Sequence, residues 1–192
     1  MTTIATTTTG TLTGSYAIDP THSRIGFVAR HAMVTKVRGS FNDFVGSGYV
    51  DLDDPARSHL ALTIKAQSID TRNADRDAHL RSNDFFDMER YPDITFVSTD
   101  VERIDDATYR VTGDLSMKGV TKAVSVDFEY TGSAIDPYQN LRIGFEGRAT
   151  VNRKDWGVNW NAALETGGVL VGENIALEFE VSAVKTAERS DG

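Results

Sequence analysis

Apolar side chains recur at every second residue along much of this chain, and that feature decides most of what it can become. The stretch "SHLALTIKA" puts Leu60, Leu62 and Ile64 on one face, with His59, Ala61, Thr63 and Lys65 on the other. "TYRVTGDLSMKG" aligns Tyr109, Val111, Leu115 and Met117, and "AVSVDFEYTG" aligns Val124, Val126, Phe128 and Tyr130. Leu141, Ile143, Phe145, Ala149 and Val151 alternate in "LRIGFEGRATV", as do Ile175, Leu177, Phe179, Val181 and Ala183 in "NIALEFEVSAV". Alternate residues of a strand share a face, so these stretches predict half-buried antiparallel strands, apolar on one side and wet on the other. "RIGFVA", "FNDFVGSGYVD" and "DITFVSTDVERI" add strands of less even alternation, for about eight in all.

Turn signals such as "DDPAR", "IDDAT" and "IDPYQN" separate these runs, and few gaps could hold the crossover helix that parallel strands require. An all-β sandwich or barrel follows, with short connections favouring a meander. Strands of eight to eleven residues span roughly 26–37 Å at about 3.3 Å per residue. An eight-stranded barrel is about the size whose interior holds one small ligand. The apolar faces would then line a tube, either filled by its own side chains or open to a lipid.

With 192 residues and no break in composition, one domain is expected, from 14 to 186. Eight of the first 13 residues are threonine with little to bury, so 1–13 is expected to be a flexible tail, and "AERSDG" (187–192) another. The net charge of −8 argues against nucleic acid, which a basic stripe would hold, and against recruitment to an anionic membrane by overall charge. The absence of cysteine removes disulfides, thiolate metal sites and thiol nucleophiles. No run approaches the length of a spanning helix, and the N-terminal segment lacks the charged and apolar regions of a signal peptide; the expected location is cytoplasmic.

Motifs for chemistry are absent. His22, His31, His59 and His79 occur in no metal-ligand spacing, and "DLDDPARSHLAL" lacks the glycine and glutamate of a calcium loop. Asp19, His22 and Ser23 form a triad by composition only, because three residues crowded into one turn rarely align as nucleophile, base and orienter. Ser182 and Lys185 fall on opposite faces of a strand. No phosphate-binding glycine loop is present. Trp156 and Trp160 can guard a pocket mouth or close a barrel end.

The segment "RDAHLRSNDFFDMERYPDITF" breaks the strand pattern. Asn73 or Thr71 can cap a short helix, with Asp75 and Asp77 in its first turn and Asp77 matched to Arg81 one turn on. Its face is barely apolar, so Leu80, Phe85 and Phe86 must anchor it, before Pro92 returns the chain to a strand. The segment therefore reads as a cap, aromatic inside and charged outside, with His79 a structural hydrogen-bonder.

Four stretches resemble the YceI-like family of polyisoprenoid-binding proteins. They are "YAIDPTHSRIGFVARH" followed by "VRGSFNDFVG", the cap segment, "GDLSMKGVTKAV", and "NRKDWGVN", where the family more often has Phe at position 156. The resemblance implies an extended antiparallel eight-stranded lipocalin-like barrel with a short helical cap. It also implies a non-catalytic protein whose only cofactor-like occupant would be a bound isoprenoid, isoprenoid-quinone or fatty-acyl lipid. On this reading Phe27, Phe41, Phe44, Leu62, Phe96, Leu115, Met117, Val126, Phe128, Ile143 and Phe145 line the interior. Leu80, Phe85 and Phe86 face it from the cap, and Trp156 and Trp160 sit near an end. An enzyme acting on a lipid-like substrate and a structural barrel with a solid core are the alternatives; the partner is an apolar small molecule, with a homodimer as the open alternative to a monomer.

Overall fold

The computed structural model describes residues 12–186. The strands are β1 (Gly14–Ile18), β2 (Arg24–His31), β3 (Thr35–Phe41), β4 (Phe44–Val50), β5 (His59–Lys65), β6 (Ile69–Asp70), β7 (Asp93–Arg103), β8 (Thr108–Met117), β9 (Val120–Ile135), β10 (Leu141–Asn152) and β11 (Asn174–Lys185). One helix, α1 (Ala74–Arg81), precedes β7. All neighbouring strands are antiparallel, in the order β1-β4-β5-β7-β8-β9-β10-β11, and β11 closes the ring on β1.

The barrel has eight staves, three of them broken. β11 pairs with β1 through Ala183 and with β2 through Ala176–Glu180, so β1 and β2 are two halves of one kinked stave. β3 pairs with β2 while β4 pairs with β1, which makes β3 and β4 the next stave. β5 and β6 form the third, pairing with β4 and β3. The stretch "FNDFVGSGYVD" is thus not one strand: the ladder stops at Asn42–Asp43, where the Asn42 N–H turns to Ser68 O and the Lys65 N–H reaches Asp43 O. At the first break the Asp19 side chain accepts from the Thr21 N–H, and the Ser23 hydroxyl takes the place of the ladder, accepting from Ser182 N and donating to Ser182 O. Backbone groups stay paired across the kink, as buried ladders require.

Alternation places the inward faces as expected on β5, β8, β9, β10 and β11. On β7 it does not run through: a bulge between Ser98 and Asp100 shifts the phase, so Ile94, Phe96 and Val101 all face inward. Toward the lower end, where the 51–58, 104–107 and 136–140 turns lie, Leu12, Tyr16, Leu52, Val101, Tyr109, Val111, Ile143 and Ala183 form one cluster of buried side chains. Leu12 is 2% exposed and its carbonyl accepts from the Tyr16 hydroxyl at 2.6 Å. Leu12 thus belongs to the packed unit although it falls in the tail expected over 1–13; the rest of that tail up to residue 11, and the one expected over 187–192, lie outside the described residues.

Candidate functional site: an apolar cavity under a helical strap

The staves part around a cavity of about 310 Å³, bordered from the strap down to Tyr16, Tyr49, Leu52 and His59 at the lower end. Phe27, Phe41, Phe44, Leu62, Phe96, Leu115, Met117, Val126, Phe128, Ile143 and Phe145 border it, together with Leu80, Phe85 and Phe86 from the strap above. Ile25, Ile94, Leu177 and Phe179 border it as well; their alternation was legible in the sequence, but nothing there ranked them for lining.

Glycines keep the bore open. Gly39 lies opposite Phe27, and a Cβ on it would stand 2.3 Å from the Phe27 ring. Gly147 lies opposite Phe128, where a Cβ would meet the ring at 2.5 Å, and one on Gly113 would come within 2.4 Å of Phe96. In each case the ring lies down over bare backbone, so it coats the wall instead of crossing the lumen.

The strap, residues 71–92, is held from below by polar ties, with Asp77 buried and Arg76 and Arg81 half-buried. Asn73 caps α1, accepting from the Arg76 N–H at 2.9 Å. Asp77 is buried and accepts the Thr71 backbone N–H at 2.9 Å as well as its hydroxyl, so the expected Asp77–Arg81 pair does not form. Arg81 instead donates to Gln67 O and Ile69 O, and Arg76 to Thr71. A helix with so weak an apolar face is fixed by these polar ties and by the two phenylalanines beyond its C-terminus. Phe86 packs edge-on against Phe41, and Phe85 sits 5.4 Å from Trp160.

The two tryptophans separate. Trp156 is 2% exposed, lies outside the cavity wall and donates its indole N–H to Leu115 O at 2.9 Å. Trp160 stands over the strap, 4.6 Å edge-on to His79, whose Nε2 lies 2.8 Å from Asp84. The intervening 157–173 loop is organised by Arg153, a residue the sequence did not single out. Its buried guanidinium donates to four carbonyls: Val158 at 2.7 Å, Gly172 at 2.9 Å, Trp160 at 3.0 Å and Val171 at 3.2 Å. Burial pulls its pKa below the usual guanidinium range.

Several of the polar groups near the cavity are committed, while Tyr49 and His59, which also border it, stack on each other with ring centroids 6.0 Å apart. Tyr16 is pushed up to about 12 by burial, then by Tyr130, and keeps its proton on Leu12 O. The Tyr109 hydroxyl accepts from Arg103 at 3.1 Å. Outside the wall, Asp19 lies between His22 Nδ1 at 2.8 Å and Arg142 Nη1 at 2.7 Å, and Arg142 reaches Asp136 at 2.8 Å. Arg142 above all holds the Asp19 carboxyl well below the usual carboxylate range. Ser23 is bonded to the Ser182 backbone rather than to His22, so the three triad-like residues do not assemble.

Comparison with known proteins agrees with this architecture. The family model described as YceI-like domain matches residues 16–183. A UPF0312 protein of Staphylococcus epidermidis is 40% identical over 169 residues, covering 88% of this chain and 95% of its own. One from Staphylococcus aureus is 38% identical over 170 residues, with the same shares. Among solved structures, BcnA of Burkholderia cenocepacia superposes with a TM-score of 0.76 at 23% identity, over 86% of this chain and 98% of that one. A YCEI protein of Campylobacter jejuni gives 0.68 at 32% identity, over 82% and 90%. A polyisoprenoid binding domain from Saccharophagus degradans gives 0.66 at 15% identity, over 89% and 98%.

Proposed function

This chain belongs to the YceI-like domain family, and from that footing we propose that it binds and carries one long apolar amphiphile inside the barrel without transforming it. The observation that carries the reading is the cavity of about 310 Å³, bordered mainly by aliphatic and aromatic side chains. Sites for small molecules commonly run about 300–1,000 Å³. A protein interior otherwise leaves few voids larger than a water molecule, so a space of this size speaks against the solid-core alternative.

The occupant we propose is an isoprenoid, an isoprenoid quinone or a fatty-acyl chain. The Saccharophagus degradans domain is described as polyisoprenoid binding, and a slender, branched or flexible chain suits a bore coated by flattened phenylalanines. Burial contributes about 0.8 kcal/mol per methylene-sized group, offset by the ordering of the chain. Selectivity then falls on length and width. Acid–base chemistry would need two unengaged polar groups converging on the lumen. Tyr16, Tyr109, Arg153 and Ser23 are each bonded to other protein groups, which leaves the stacked Tyr49 and His59 at the lower end as the pair an enzyme would have to use.

Native mass spectrometry of the purified protein, followed by solvent extraction, tests this. One apolar molecule retained per chain, or stoichiometric uptake of an added isoprenoid alcohol, is the expected result. A chain that neither retains nor takes up such a molecule sinks the proposal, and turnover of a lipid ester lost on His79→Ala would return the enzyme.

A further inference from the structure

The β2–β3 hairpin breaks the charge pattern of the molecule. From Ser23 to Asn42 there is no carboxylate, although the protein carries −8 overall; Arg24, Arg30, Lys36 and Arg38 fall in this stretch. Arg24 is tied to Glu178 at 3.6 Å. Among the described residues Arg30, Lys36 and Arg38 have no carboxylate partner, and all three are exposed. At the tip between them Met33 is 64% and Val34 75% exposed. Ala32 and Met33 turn with φ of +50° and +61°, a conformation usually given to Asn or Gly. A turn chosen for folding alone would carry those residues, whereas this one holds two large apolar side chains in water.

The tip is not isolated. Ala32 N–H donates to Leu170 O, His31 bridges to Val171, and Met33 lies over Gly168. Val169 is 37% exposed beside it. Glu165 is the exposed acid of this loop, and Glu173 is neutralised by Lys154 at 2.7 Å. The hairpin rises from Phe27 and Ala29, which border the cavity, so the tip stands at the cavity's upper end. The opposite end turns out Asp53, Asp54, Asp105 and Asp106.

We infer that the Met33–Val34 tip and its flanking Arg30, Lys36 and Arg38 form a docking surface for an anionic lipid bilayer. The overall charge does not decide this, because in salt a charge acts over about 8–10 Å and the exposed acids of the upper end, such as Asp75, Glu89 and Asp155, lie on other segments than the carboxylate-free hairpin. Two apolar side chains flanked by cations fit the interface of anionic headgroups and acyl chains, and the acidic end orients the molecule upright. Docking of this kind is separate from the carrying of a lipid and supplies a route for loading one.

The full chain is sedimented with phosphatidylcholine vesicles, with and without phosphatidylglycerol. It should bind only the anionic vesicles, and salt should release it. Each basic residue near such a surface multiplies affinity by about fivefold, so Lys36→Gln with Arg38→Gln should lower it about 25-fold. Met33→Ser with Val34→Ser should cost about tenfold, and Tyr138→Ser at the lower end nothing. The chain has no cysteine, so a polarity-sensitive dye on Val34→Cys should shift blue on anionic vesicles and one on Tyr138→Cys should not. Equal binding to both vesicles, wild-type binding by either double variant with its melting curve intact, or no shift at position 34 would overturn the inference. Uptake of an apolar fluorophore in vesicle-free solution reads the cavity alone, so failure of docking and failure of lipid carriage are told apart.

Discussion

Replacing Leu62 by tryptophan tests directly whether a ligand occupies the middle of the barrel. Leu62 lies in β5, opposite Phe96 on one neighbour and Gly46 on the other, and faces the lumen. Tryptophan carries six more side-chain heavy atoms than leucine, and the lumen beside position 62 is where they would go. They would displace about five methylene-sized groups of a bound chain, at about 0.8 kcal/mol each. The loss is then about 4 kcal/mol, close to a thousandfold in affinity. The fold should hold, because the added bulk enters open space and not packed core; the change in stability should stay within about 1.5 kcal/mol. Titration with an apolar fluorophore, displaced by an isoprenoid alcohol, gives the affinity, and thermal melting gives the stability. A folded variant with wild-type affinity would mean that the ligand lies elsewhere. A variant that fails to fold would mean that the lumen has no spare room, and the reasoning fails there too.

Arg153→Met removes the shared donor of four loop carbonyls; urea unfolding should register a loss of about 3–5 kcal/mol, and Arg153→Lys should not restore it, since a point charge cannot serve four directions. Gly113→Ala drives a Cβ to 2.4 Å from the Phe96 ring and 2.6 Å from Val97 O, and should cost about 1–3 kcal/mol in melting experiments while narrowing the bore to bulky ligands. Acid should weaken the protein through Asp19 and Asp136. Asp136 is lowered to about 2 by the Asn140 backbone N–H and then by Arg142, while its unfolded value is about 4, so its contribution is complete above about pH 4 and is lost as the pH falls towards 2. Arg142→Met should move the acid-unfolding midpoint, followed by circular dichroism, to higher pH.

The alternation carried most of the wall because each stave is apolar on one face only, and a strand cannot slip by one residue without exposing that face. It failed where the chain leaves the regular pleat. The bulge after Ser98 brings Val101 into phase with Phe96, and no local residue pattern announces it. The break at Asn42–Asp43 falls where alternation is already uneven, with Phe41 and Phe44 three residues apart, and it lets both rings face the lumen. The strap was legible as a cap from Leu80, Phe85, Phe86 and Pro92, but its polar supports were not. Asp77 and Arg81 sit at a spacing that favours a surface ion pair, and the Thr71 N–H and the carbonyls of Gln67 and Ile69 claim them instead. Those partners are set by tertiary placement, which a local pairing rule cannot see. Trp156 likewise took its place from the Leu115 carbonyl two staves away, 41 residues apart in sequence.

The three broken staves are consecutive around the ring, and their breaks adjoin: residues 19–23 face 42–43, which in turn face 65–68. A closed tube that carries a lipid, as proposed above, must admit it past the strap or through its wall. If all eight staves were continuous, admitting a bulky molecule through the wall would mean unzipping whole ladders. Here the wall is scored along one oblique line, and above it β2, β3 and β6 form a panel joined to β4 and β5 by chain continuity and by single bonds such as Asn42 N–H to Ser68 O and Lys65 N–H to Asp43 O, not by a continuous ladder. The closed barrel thus keeps the edge-free protection of its lower half while concentrating any opening in a single predetermined panel beside the strap.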